Sequence, residues 1–208
     1  MTPTTSAKLP VSADPAAVGL RERKKARTRA AIQAHALRLF REQGYDGTTV
    51  QQIIEEAEVS ESTFFRYFPT KGDVVLADDI DPLIVEAFRD QPPELTPIQA
   101  LRGAFATVFG RLSGQEVSDQ RDRMRLILSV PELRAGMLDQ FVSAMLLLVV
   151  VLAERTGRRP DDMAVRTLAG AVVGAAMAVM FAVLDDEGAD LADLIDESMA
   201  RLETGLEL

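Results

Sequence analysis

The 208-residue chain is 47% hydrophobic and 26% charged, ordinary usage for a globular protein long enough to bury a sizeable core. It has no cysteine and one histidine, His35. That excludes disulfide scaffolds, thiolate metal sites and cysteine nucleophiles, and it leaves Ser-His pairs and histidine-rich metal centres poorly supplied. The net charge of −9 argues against a polyanion partner only until it is divided along the chain. Residues 1–71 carry 11 Lys+Arg against 8 Asp+Glu, whereas residues 72–208 carry 12 against 24. Eight basic and two acidic residues fall between Leu20 and Tyr45. A basic head on an acidic body suits a protein that meets a polyanion with one end only.

In chain order, residues 1–19 are rich in Thr, Ser, Pro and Ala and are expected to be a disordered tail. They lack the apolar core of a signal peptide. From Leu20 onward the periodicity is helical, and no alternating β-branched runs mark strands. The first helix is expected over about Leu20 to Gln43, with Ile32, Ala36, Leu39 and Phe40 inward and Gly44 at its C-terminal stop. A capping box, Thr49-x-x-Gln52, opens a second helix to about Ala57. After the turn Glu58-Val59-Ser60, Ser60 caps a third helix over Glu61 to Tyr67, which Pro69 ends. The pattern Thr70-x-x-Asp73 predicts one long linking helix to about Phe88. Beyond the Pro-rich segment 90–97, five further helices are expected at about 97–112, 117–129, 131–156, 160–185 and 190–204. The expected fold is all-α: a head over 20–71 and a larger body over 72–208. The longest apolar runs, Ala144–Ala153 and Ala169–Leu184, fall short of the ~18–20 residues that span a bilayer, which predicts buried helices in a cytoplasmic protein with no membrane partner.

Two short helices joined by a three-residue turn can present the second to a DNA major groove while the first braces it. Thr49 and Thr70 cap helix starts suited to phosphate oxygens, and Lys71 adds a cation beside the second. The basic residues Arg21, Arg23, Lys24, Lys25, Arg27 and Arg29 suit the backbone or a minor groove. On the third helix Ser62, Thr63, Arg66 and Tyr67 offer donors and acceptors, and Phe65 suits a thymine methyl. Phe64 and Phe68 are assigned to packing.

The ordered set Arg27-Thr28-Arg29, Leu39-Phe40, Gly44-Tyr45, Thr48-Thr49-Val50, Ile53, Val59-Ser60, Thr63-Phe64-Phe65-Arg66-Tyr67-Phe68 and Lys71 resembles the N-terminal DNA-binding domain of the TetR family. The resemblance covers about 50–60 of the 208 residues. It implies a homodimeric repressor of a palindromic double-stranded operator, with an effector-binding body that moves the linking helix. It implies phosphate contacts at Thr49, Tyr67 and Lys71, and base-facing positions at Glu61, Ser62, Thr63, Phe65 and Arg66. Arg27, Arg29 and Ser60 complete the expected DNA-binding set. Two positions depart from the family pattern: Glu58 where glycine is usual, and the acidic Glu61 where a basic or neutral residue is common. Glu61 suits a cytosine amino group or the helix dipole.

In the body, 137–152 and 165–184 are apolar nearly all round, as buried helices are. Gly170, Gly174, Ala178 and Ala182 form a small-residue face on the penultimate helix. Together with Leu191, Leu194, Ile195, Met199 and Leu202 on the last, it predicts a homodimer through the last two helices. Phe105, Phe109, Met124, Leu128, Met137, Phe141, Met145, Met177 and Phe181 are candidates to line a pocket for a small apolar or amphipathic effector. Arg121, Arg123 and Arg125 alternate around their helix and are expected to pair at the surface. No nucleophile-base pair, phosphate loop or metal constellation stands at a usable spacing, so neither enzyme activity nor a cofactor is expected. The competing expectation is a helical small-molecule-binding or scaffolding protein without specific operator binding, motivated by Glu58 and Glu61.

Overall fold

A computed structural model describes residues 15–77, 80–186 and 188–206, with side chains from residue 23 onward. Among the described residues there are ten helices and no strand, and the chain divides after Thr70 into two units.

The first unit holds α1 (Pro15–Gln43), α2 (Val50–Glu56) and α3 (Glu61–Tyr67). α1 starts inside the segment expected to be tail, because proline at a first helical position followed by Ala16-Ala17 favours a helix start; residues 1–14 of that segment lie outside the described residues. Ile32, Ala36, Leu39 and Phe40 are buried along one face of α1, as their spacing predicts. α1 stops at Gly44, whose φ of +80° is a conformation that glycine adopts without strain. The Phe40 and Tyr45 rings then pack 5.2 Å apart. Ile53, Ile54, Phe64 and Phe68 complete this small core. Arg38 ties α1 to α2 by donating to Glu42 at 2.9 Å and to Glu56.

The second unit holds α4 (Lys71–Leu76), α5 (Ile80–Arg89), α6 (Pro97–Phe109), α7 (Gly114–Ser129), α8 (Pro131–Thr156), α9 (Met163–Asp185) and α10 (Leu191–Thr204). The single linking helix expected to reach Phe88 is therefore two helices. Pro82 is the reason: in a continuous helix its ring would clash with the carbonyl four residues earlier and remove a hydrogen bond, so the helix breaks and restarts with Pro82 in a first turn. The Pro-rich connection to α6 is held by Arg155 of α8. Its guanidinium donates to the carbonyls of Gln91, Pro92 and Leu95 and stands 5.2 Å from the centre of the Phe88 ring. Arg102 joins α6 to α10 through Asp196 (3.0 and 2.9 Å) and Glu203 (2.8 Å). The Arg102 guanidinium, with the Gln99 amide, holds the Glu203 carboxyl below the ordinary carboxylate range.

The structure adds two facts about the body. Leu191, Leu194, Ile195, Met199 and Leu202 pack against the unit's own core, so the apolar stripe of α10 is already used within the chain. α8 and α9 are 26 and 23 residues long, longer than the apolar runs they contain. By length and composition each is apolar enough to cross a membrane, and 22% of the most apolar window of each is buried within the chain. Each helix buries one face, through Leu148, Val149, Val151 and Leu152 on α8 and Val165, Ala169, Val172, Val179 and Val183 on α9. The opposite face of each is left uncovered.

Candidate nucleic-acid interface and effector cavity

Capping positions the helix pair. The Thr49 hydroxyl accepts from the Gln52 amide nitrogen (3.2 Å) while Gln52 Oε1 accepts from the Thr49 amide (2.8 Å), which fixes the start of α2. In the turn, Glu58 has φ +51°, a left-handed conformation that costs a side-chain-bearing residue about 1–2 kcal/mol. The departure from glycine is thus tolerated rather than avoided. Glu58→Gly relieves that strain but adds freedom to the unfolded chain, which offsets about 0.4–1 kcal/mol of it, so we expect a net gain of about 0–1.5 kcal/mol, read as a rise in Tm. Ser60 then caps α3, its hydroxyl accepting from the Thr63 amide (3.2 Å) and sharing hydrogen bonds with the hydroxyls of Thr63 (2.8 Å) and Ser62 (3.1 Å).

α3 is seven residues long and two-faced. Phe64, with Phe68 just past its end, is fully buried, whereas Phe65 is 44% exposed. Glu61, Ser62, Phe65 and Arg66 are all exposed, and their i, i+3 and i+4 spacing puts them on one outward face. Thr63 and Tyr67 are half-buried along its edge. The Phe65 ring meets the Phe64 ring edge-on at 5.3 Å, and the Arg66 guanidinium sits 5.1 Å from the centre of the Tyr67 ring. Both outward side chains are therefore braced from behind. Arg27 is exposed on α1; Arg29 is half-buried, 5.8 Å from the Phe68 ring centre. Lys71 is half-buried at the first position of α4 and begins the second unit.

Within the second unit lies a cavity of about 230 Å³ with predominantly apolar walls from α4 through α10. Phe105, Phe109, Met124, Met137 and Phe141, five of the nine residues expected to line a pocket, are in its walls. The other four lie elsewhere, for reasons of helix phase. Leu128 follows the last α7 wall residue, Ile127, and Met145 packs on the core. Met177 and Phe181 share the uncovered face of α9, with Phe181 47% exposed.

The expectation that Arg121 and Arg123 pair at the surface is corrected: both are half-buried in the cavity wall, beside Asp81, Gln120 and Gln140. Arg121 donates to the Val183 carbonyl at 3.0 Å, and Arg123 donates to the carbonyls of Val75 and Leu76. Gln140 Nε2 donates to the Leu76 carbonyl at 2.6 Å. Sequence reasoning missed these polar wall residues. Gln120, Arg121, Met124 and Ile127 nonetheless share one helical face, and that phase was the available signal.

The uncovered face of α8 carries Leu138, Val142, Leu146 and Val150, spaced by four and 63%, 47%, 56% and 45% exposed. On α9, Gly174, Ala178, Phe181 and Ala182 are exposed, and a Cβ added at Gly170 or Gly174 would meet nothing within 4 Å.

Comparison with known proteins accords with this geometry. The family model for bacterial regulatory proteins of the tetR family matches residues 32–77, and the model for the MftR C-terminal domain matches residues 95–207. The chain is 39% identical over 151 residues to the HTH-type transcriptional regulator TcmR of Streptomyces glaucescens, covering 69% of this chain and 67% of that protein. It is 30% identical over 166 residues to the HTH-type transcriptional regulator EthR of Mycolicibacterium smegmatis, covering 76% and 75%. Two solved structures share the fold at low identity. Salmonella enterica GusR has a TM-score of 0.54 at 17% identity, covering 86% of this chain and 94% of that one. Thermus thermophilus FadR, a TetR-family repressor, has a TM-score of 0.52 at 22% identity, covering 86% and 95%. With a helix-turn-helix head that matches one family model and a helical body that matches another, this chain belongs to the TetR family of transcriptional regulators.

Proposed function

We propose that this chain is a ligand-responsive repressor that reads a palindromic operator as a homodimer through α3, and that a small apolar or amphipathic molecule filling the cavity releases it. The observation that carries the reading is the two-faced α3, pinned from behind by Phe64 and Phe68 with Glu61, Ser62, Phe65 and Arg66 facing out. Those side chains supply a fork for guanine O6/N7, a hydroxyl for several base edges, an apolar contact for a thymine methyl and an acceptor for a cytosine amino group. Thr63, at the edge of that face, joins the base-facing set, and Thr49, Ser60, Tyr67, Lys71, Arg27 and Arg29 then fix register on the backbone, a role that carries affinity rather than sequence. The uncovered faces of α8 and α9 take the second copy, which gives two readers and hence two half-sites. On this reading the second copy packs on α8 and α9, whereas the sequence-based expectation was the last two helices. The relatives are regulators, which favours this reading over a scaffolding protein or an enzyme and suits a cytoplasmic location.

The test is to sequence DNA fragments retained by the purified protein. The reading expects an inverted repeat with half-sites spaced by about one helical turn or a multiple, and fragments of unrelated sequence would count against it. On the recovered site, Arg66→Ala should lose about 1–3 kcal/mol of discrimination at one base pair of each half-site. Lys71→Ala should instead weaken all sequences alike and lower the salt slope by about one phosphate contact per reader. Titrations at several salt concentrations separate the two.

A further inference from the structure

We infer that the cavity takes an apolar molecule ending in a hydrogen-bond-accepting oxygen, and that this oxygen competes for the donors that now hold the C-terminus of α4. The inference rests on the cavity being the effector site, as read above.

The last carbonyls of a helix have no partner within it, and α4 cannot hand its own to a continuing helix because the chain breaks ahead of Pro82. Side chains of other helices supply the partners instead: Arg123 of α7 donates to the Val75 and Leu76 carbonyls, and Gln140 of α8 also donates to Leu76. The Leu76 side chain is seated where α8 has no Cβ. An added Cβ at Gly136, one turn before Gln140, would lie 2.4 Å from Leu76 Cδ1. Leu76, Arg123 and Gln140 all line the cavity. A molecule in that space therefore lies beside the same three residues that fasten α4.

Their chemistry selects the end of the ligand. The hydrogen bonds from Arg121, Arg123 and Gln140 to Val183, Val75 and Leu76 are donations to neutral carbonyl oxygens. A carboxylate oxygen is a stronger acceptor for the same donors, and a ketone oxygen, though weaker than a peptide carbonyl, still accepts from them. Side-chain acceptors on this wall are fewer than its N–H donors: the Asp81 carboxylate, the Gln140 amide oxygen, and Gln120, whose Oε1 accepts from Arg123 at 3.2 Å. An ammonium end would bring donors to donors and a cation to two guanidiniums. Removing the donors from Leu76 uncaps α4, which only residues 68–70 separate from α3 along the chain.

Three probes with one apolar body test this on the full-length protein: decanoate, 2-decanone and decylamine. By calorimetry, decanoate and 2-decanone are expected to bind once per chain and decylamine at least tenfold more weakly. The ratio of the first two tells whether a carboxylate or a neutral carbonyl is preferred. Amide hydrogen exchange over residues 74–77 is expected to rise at least tenfold with decanoate. Gln140→Leu, an exposed position, is expected to raise exchange there without any probe and to weaken 2-decanone binding. The inference is overturned if decylamine binds as tightly as decanoate, if no probe binds, or if binding leaves exchange over 74–77 unchanged. Operator binding by the same preparation separates the failures. If it persists, only this inference falls; if it is absent, the repressor reading falls with it.

Discussion

Leu146→Asp is expected to turn the proposed dimer into a monomer and to lower operator affinity by a factor of about 10²–10⁴. Leu146 is 56% exposed and sits inside the α8 stripe of Leu138, Val142, Leu146 and Val150. In the single chain a carboxylate there meets solvent and costs little. In the proposed interface it is desolvated without a partner, an effect of several kcal/mol per copy, and two copies share the interface. The DNA consequence follows because two linked readers exceed either one alone by about 10²–10⁴ in effective affinity. Sedimentation over a range of protein concentrations reads the assembly, and thermal unfolding checks that the chain itself is unharmed. A variant that remains a dimer would move the interface away from α8.

Phe64→Ala is expected to cost the head about 3–5 kcal/mol, the usual loss for a fully buried phenylalanine. Phe64 is 0% exposed and packs against Phe65 and Phe68 at 5.3 and 6.0 Å between ring centres. The head is small, and marginal domains lose most of their stability to one such change. The second unit keeps its own core, so hydrogen exchange should show residues 23–70 opening while 97–204 stay protected. The neighbouring Phe65→Ala is the control. At 44% exposure it should change stability by about 0.5 kcal/mol or less yet still weaken operator binding. Equal stability losses at the two positions would contradict the two-faced description of α3.

Much of this was legible in the sequence because the relevant physics is local. The Thr49-x-x-Gln52 box, the Ser60 cap and the Gly44 stop are short-range hydrogen-bond and φ requirements, and the helices they delimit stand within a residue or two of where spacing puts them. Phe64 and Phe68 could be assigned inward because they are one helical turn apart and Phe65 is not in phase with them. The break before α5 was equally local, since a proline at position 82 is incompatible with one unbroken helix from Lys71 to Phe88.

What was not legible depends on which helix packs on which. Periodicity shows that α8, α9 and α10 have apolar faces, but not that α6 and α9 take up the face of α10 and leave those of α8 and α9 uncovered. The same limit explains Met177 and Phe181, bulky residues on a face turned from the cavity. It also explains Arg121 and Arg123, whose partners include main-chain oxygens about 60 and 50 residues away along the chain. Charge at alternate positions signals surface pairing only until a helix end with unsatisfied carbonyls lies opposite.

The most direct measurement of the central claim is a competition titration of the purified protein on the recovered operator against the same duplex with its half-sites scrambled, at about 50 and 200 mM salt. Sequence reading by α3 from a dimer predicts a preference of at least about 10³ for the operator, and an affinity for both duplexes that falls steeply between the two salt concentrations. Equal affinity for the two duplexes at both salt concentrations would contradict it.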